Sequence, residues 1–134
     1  MRGRKRFIAV DSLGLVWALS VLTADVQDRD GGCWLLGGVR HLLARVREVV
    51  ADSGFSKRFQ DFVRTVCRWR VTITATAAAG FVIHARRWVV ERTFAWLVRY
   101  RRLAVDYEYL PGTSEAMIQA AMIHLMLRRL HPKK

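Results

Sequence analysis

The chain is poor in the residues that staple, break or anchor a protein: two cysteines and two prolines in 134 residues, and only 11 acidic side chains against 23 basic ones. Cys33 and Cys67 lie far apart, and neither has a His or Cys at metal-ligand spacing. That argues against a zinc site and a disulfide scaffold, and fits a reducing, cytoplasmic setting. The longest apolar stretch, residues 13–24, carries Ser20 and Thr23 and falls short of the roughly 18–20 residues a membrane helix needs. Arg2, Arg4, Lys5 and Arg6 echo the start of a secretory leader, but the apolar run after them reaches Asp11 within one strand length, so secretion is not expected.

What remains is 52% hydrophobic and 25% charged, enough to bury the core of one globular domain, residues 1–134. The formal net charge is +12, and 19 of the 23 basic residues are Arg. Such a surplus suits a polyanionic partner, nucleic acid first, although charge alone equally describes a basic protein without one.

Apolar runs at residues 7–10 and 15–22, separated by Ser12-Leu13-Gly14, predict a β-hairpin. Asp25, Asp28 and Asp30 precede a helical pattern through Leu43, weakened by Gly31, Gly32, Gly37 and Gly38, so that helix is expected to break or start late. Residues 46–51 predict a strand ending on the turn Asp52-Ser53-Gly54, followed by a helix over 57–68 and a strand over 69–75. A small-residue connection at 77–80 leads into a long amphipathic helix over about 86–105. After Pro111-Gly112, Thr113 or Ser114 is expected to cap a last helix with Glu115 in its first turn. This order of strands and helices is a mixed α/β arrangement.

Two carboxylates stand out. Asp52 falls at the C-terminal end of a strand, where ligand sites gather in open α/β sheets, although Asp often serves there as a turn former. Glu91 falls at the border between the apolar arc of its helix (Val90, Phe94, Leu97 and Val98) and the face carrying Arg92 and Arg99. Taken alone, Glu91 is better accounted for by a surface ion pair with Arg87, four residues earlier, or with another nearby Arg. Carboxylates on a strand end and on a helix facing that sheet make a hard oxygen site for Mg²⁺, chemistry that calls for a third carboxylate.

The segment RRWVVERTFAWLVRYRRLAVDYEYLPGTSEAMIQAAMIHLMLRRL, from Arg86 to Leu130, resembles the C-terminal signature of bacterial DDE transposases of the insertion-sequence-five family. The resemblance extends through residues 3–32 and through VVADSGFSKRF, residues 49–59. It implies an RNase H-like fold with Asp52 as the second catalytic aspartate and Glu91 as the catalytic glutamate, both holding Mg²⁺ or Mn²⁺. It places Arg87, Arg92, Arg99, Arg101 and Arg102 against the DNA backbone, where guanidinium groups clamp phosphate. Trp88 and Trp96 are assigned to the core rather than to the site.

The resemblance also implies a departure. The family's first catalytic aspartate lies on a first strand preceding the part that matches here from Gly3, and Asp11, at the hairpin turn, is a poor substitute. The expectation is therefore an N-terminally incomplete catalytic domain, arising from a late start, a truncated element or a frameshifted second reading frame. Its partners would be DNA, a further copy or full-length transposase, with no membrane. The alternative is a catalytically inactive remnant that at most binds DNA or the full-length enzyme. An unrelated RNA-binding protein explains the Glu91 segment poorly.

Overall fold

In the computed structural model, which describes residues 3–74 and 85–132, the chain opens with an antiparallel hairpin. Strand β1 (Arg4–Val10) pairs with β2 (Val16–Thr23), setting Phe7 opposite Ser20 and Ala9 opposite Ala18. Asp11 builds the turn: its carboxylate accepts hydrogen bonds from the backbone N–H of Leu13 (2.9 Å) and Leu15 (3.0 Å) and from the Trp17 indole (2.9 Å). Gly14 completes it at φ 81°, a left-handed conformation that strains residues with a Cβ.

Helix α1 (Asp28–Val39) corrects the expectation of a broken or late helix, for its 12 residues run uninterrupted through all four glycines. Two of those glycines are contact points. A Cβ on Gly31 would stand 2.3 Å from the Phe7 ring, and one on Gly32 would stand 2.7 Å from Phe55 and Phe59. The propensity cost of these glycines, about 1 kcal/mol each, is offset by bringing the helix backbone directly onto aromatic rings.

A 3₁₀ turn (Arg40–Leu42) leads to β3 (Glu48–Asp52), then α2 (Lys57–Phe62) and a π-helical turn (Val63–Cys67). Arg68 ends that turn with φ 59°, and β4 (Arg70–Thr74) then runs parallel to β3. The expected strands and helix are thus present within one or two residues. The small-residue connection at 77–80 lies outside the described residues.

The expected long helix is two helices. Helix α3 (Ala85–Leu97) stops, Tyr100 adopts an extended conformation (φ −80°, ψ 120°), and α4 (Arg101–Ala104) follows. Packing explains the break: Leu97 and Leu103 are both buried in one cluster with Val21, Ile118 and Met122. Six positions apart on a continuous helix they would point about 120° apart, off a common face. Tyr100 fixes the corner through a 2.8 Å hydrogen bond between its hydroxyl and His124 Nδ1.

The last helix, α5 (Pro111–Leu130), begins earlier than expected, with Leu110 at the N-cap and Pro111 in the first turn, where its missing N–H costs nothing. Ser114 is buried inside the helix rather than capping it, and Glu115 lies beyond the first turn. The Glu115 carboxylate instead accepts from the Val21 N–H (2.8 Å) on the outer edge of β2.

Among the described residues the four strands form two separate two-stranded sheets, β1–β2 and β3–β4. Side chains of β1 alternate between faces. Phe7 packs with Leu35 of α1, whereas the guanidinium of Arg6 donates to the Leu103 carbonyl (2.8 Å) of α4. Helix α1 therefore covers one face and α3, α4 and α5 the other, and α3 packs against both β1 and β3.

Two glycines of α1 give opposite predictions. Gly31→Ala should destabilise the fold by about 1–3 kcal/mol through the clash with Phe7. Gly38→Ala, with nothing within 4 Å of its Cβ, should stabilise it by up to ~1 kcal/mol. Chemical denaturation of both variants beside the parent checks the pair of signs.

Candidate functional site

A cleft lies between the two sheets. It encloses a cavity of about 1750 Å³, walled by β1 and β3, with Leu35 and Leu36 of α1 on one side and Val90 and Phe94 of α3 on the other. Asp52 and Glu91 both line it and both are exposed. The structure thus brings the two sequence-predicted carboxylates, 39 positions apart in the chain, to the rim of the same cleft.

Each is positioned by its element. Asp52 ends β3, and its Oδ1 accepts the Gly54 N–H at 2.9 Å, so its turn-forming role is present together with its place at the strand end. The Asp52 carbonyl accepts the Phe55 N–H (3.1 Å), closing the turn. Glu91 projects from the second turn of α3, the helix that bridges the sheets.

A third carboxylate, Asp28, was not signalled by the sequence as part of this rim. It opens α1 and lines the same cleft, and its Oδ2 lies 3.2 Å from the position a Cβ on Gly54 would occupy. Lys5 Nζ, 3.2 Å from Asp28 Oδ1, engages it. Among the described residues, however, no three His, Cys, Asp or Glu side chains converge closely enough to hold a metal ion. The cleft gathers carboxylates without assembling a closed ligand set.

The arginines predicted to face DNA differ in their surroundings. Arg92 is sandwiched, its guanidinium 5.2 Å from the Trp88 ring and 4.8 Å from the Trp96 ring. Arg129 of α5 stacks on Trp96 at 4.5 Å and reaches the Leu13 carbonyl of the hairpin turn (3.4 Å). Of the two tryptophans assigned to the core, Trp88 is instead 53% exposed, whereas Trp96 is half-buried against Gly14. The i, i+4, i+8 spacing of Trp88, Arg92 and Trp96 is the sequence signal for this stack. Arg99 and Arg101 are exposed, whereas Arg102 is bound to Glu108 at 2.8 Å. The side chain of Arg87 lies outside the described residues.

The thiols stand apart from this rim. Burial pushes both Cys33 and Cys67 above the ordinary thiol range, with Arg58 and Arg40 respectively opposing the rise. Both pack in the cluster beneath α1 and α2, which favours the inert thiol form.

Against known families, residues 1–126 match the transposase DDE domain. The chain belongs to that family. A relative from Burkholderia cepacia, "Putative transposase for insertion sequence element IS402", is 34% identical over 114 residues, covering 79% of this chain and 54% of the relative. The chain therefore spans about half the length of that relative. No solved structure matches. Among the described residues, no helix of this DDE-family chain is long and apolar enough to cross a membrane.

The stack predicts unequal tryptophans. Trp96→Ala removes a ring held between two guanidinium groups and packed on Gly14, and should cost about 1–2 kcal/mol of stability. Trp88→Ala, with one such contact and half its surface in solvent, should cost less than ~1 kcal/mol. Equal losses in urea unfolding would contradict the asymmetry.

Proposed function

We propose that the chain is the C-terminal catalytic segment of a DNA transposase with an RNase H-like fold, whose complete form cuts and joins the DNA of an insertion sequence with Mg²⁺ or Mn²⁺. The observation that carries this reading is the meeting of Asp52 and Glu91 at one cleft in a chain of the transposase DDE family. An antiparallel hairpin followed by a parallel β-α-β unit, with α3 across both, supports the fold assignment. The cytoplasm, where DNA is accessible, is the corresponding location.

The donor set suits the ion. Asp52 and Glu91 offer hard carboxylate oxygens, and Mg²⁺ keeps several waters while taking one or two protein carboxylates together with substrate phosphates. When bound, such an ion polarises a phosphoryl oxygen and activates an attacking one. The chain's own residues provide the rest. The Gly54 N–H holds the Asp52 carboxylate in place. Arg92, beside two indoles, and the exposed Arg99 and Arg101 would supply guanidinium contacts to phosphate. Arg87, one turn before Glu91, belongs to the same set, and Arg102 joins it by sharing or leaving its pair with Glu108.

A second reading, an inactive remnant that binds DNA or full-length transposase, is favoured by one observation: the described residues hold no three-donor cluster. The two separate cleanly. In a full-length transposase carrying this segment, Glu91→Gln should reduce transposition by at least about 10²-fold while leaving DNA binding intact, a loss in the range associated with single catalytic groups. Unchanged transposition in a mating-out assay would remove Glu91 from the mechanism. The chain alone, if a remnant, should bind DNA in a salt-sensitive manner without Mg²⁺-dependent cleavage. Arg99→Ala and Arg101→Ala should each lower the slope of log affinity against log salt by about 1.

A further inference from the structure

The parallel β3–β4 unit carries a further concavity, at the end of its strands remote from Asp52. Glu48 and Asp52, the two ends of β3, are four residue steps apart, about 13 Å along the strand. A groove of about 800 Å³ is formed there by the first residues of both strands and by the π-helical turn that precedes β4. Arg47, Arg64, Arg68 and Arg70 line it, and all four are exposed. Against them stands one carboxylate, Glu48, whose Oε1 accepts from the Thr72 hydroxyl at 2.7 Å.

The core beneath decides which side chains stay outside. Val63, Cys67 and Trp69 are buried in the cluster under α1 and α2, and Val71 packs against it. Their neighbours Arg64, Arg68, Arg70 and Thr72 are left in solvent, the last two by the two-residue alternation of β4. The Trp69 N–H donates to the Val63 carbonyl (3.1 Å), folding the turn back on itself, and Arg68 adopts φ 59° at that reversal. Glycine is favoured in this left-handed conformation, yet the chain places a cation there, at the groove. Among the described residues none of the four guanidinium groups is in an ion pair, unlike those of Arg4, Arg58 and Arg102. The groove thus carries a local excess of positive charge on three neighbouring segments.

We propose that this groove binds the sugar-phosphate backbone of duplex DNA, as a contact separate from the carboxylate cleft and from Arg92, Arg99 and Arg101. Guanidinium groups spread over two strand starts and a turn match phosphates repeated along a backbone. A single compact anion would instead draw its donors to one point. The one aromatic among the described lining residues, Trp69, is 9% exposed, so no ring is offered for the stacking by which single strands are held. A protein partner or a membrane surface calls for exposed apolar side chains at the centre of the contact, which this lining lacks. Contact through phosphates alone makes the binding independent of base sequence. Neither Asp52, Glu91 nor a metal enters it, so the groove serves an active segment and a remnant alike.

Fluorescence anisotropy of the full chain with a labelled duplex about two helical turns long, titrated with salt in the absence of divalent ions, tests the contact. The double variant Arg64→Gln, Arg70→Gln should lower the slope of log affinity against log salt by about 2. Arg64→Lys with Arg70→Lys should keep most of the slope, which separates lost charge from lost structure. Arg128→Gln, removing a like charge from the exposed end of α5, should lower it by less than about 0.5. Unlabelled duplexes of unrelated sequence should compete equally. An unchanged slope in the Gln pair overturns the proposal. If the Arg99→Ala and Arg101→Ala losses persist alongside it, only this groove falls and the transposase reading stands. A full unit lost in Arg128→Gln overturns it too, as an effect of bulk charge. So does displacement of the duplex by inorganic phosphate at constant ionic strength, or stronger competition by a single strand of equal length.

Discussion

The architecture depends on helix α3 lying across two sheets that, among the described residues, share no strand pairing. Backbone pairing ordinarily makes a sheet a single mechanical unit; here α3 joins two by packing on β1 and β3, while residues of α1 cluster with side chains of both sheets on the other face. The candidate site exists because of this bridging. Glu91 lines the cleft from α3, which packs on both β1 and β3, and Asp52 lines it from the end of β3.

Charge plays two roles that composition cannot separate. Of the basic surplus, several arginines serve the fold. Arg4 donates to the carbonyls of Glu108 (2.8 Å) and Tyr109 and pairs with Asp106 (3.1 Å), tying the first strand to the segment before α5. Arg58 pairs with Asp30, and Arg129 stacks on Trp96. Arg99 and Arg101, by contrast, are exposed at the corner between α3 and α4. Reading an interface from a net charge of +12 would overcount it.

Local pattern made the hairpin, β3 with its Asp52 turn, α2 and β4 legible, since each is set by alternation and turn chemistry within about ten residues. The misreadings share a tertiary cause. The glycines of α1 looked like helix breakers because their partners, Phe7 and Phe59, lie in other elements. The helix over 86–105 looked continuous because nothing local announces that Leu97 and Leu103 must enter one core. An aromatic stripe on a helix usually marks core, which holds for half-buried Trp96 but not for Trp88, whose exposed ring lies beside the Arg92 guanidinium. Asp52 and Glu91 stand out in the sequence by their places at a strand end and on a helix border as well as by the resemblance, whereas Asp28 does not, since its approach to Gly54 spans separate elements.

The bond between Glu115 and Val21 closes a loop of 94 residues, and its consequence is kinetic. Residues 3–39 form a hairpin and helix from short-range contacts, and residues 48–74 form a strand-helix-strand unit of similar locality. Closing a loop of 94 residues rather than one half as long costs only about 0.6 kcal/mol more, but that cost falls before the contact returns anything. The order of assembly therefore runs from two locally closed units to the docking of α5, the clasp that fixes the hairpin's outer edge.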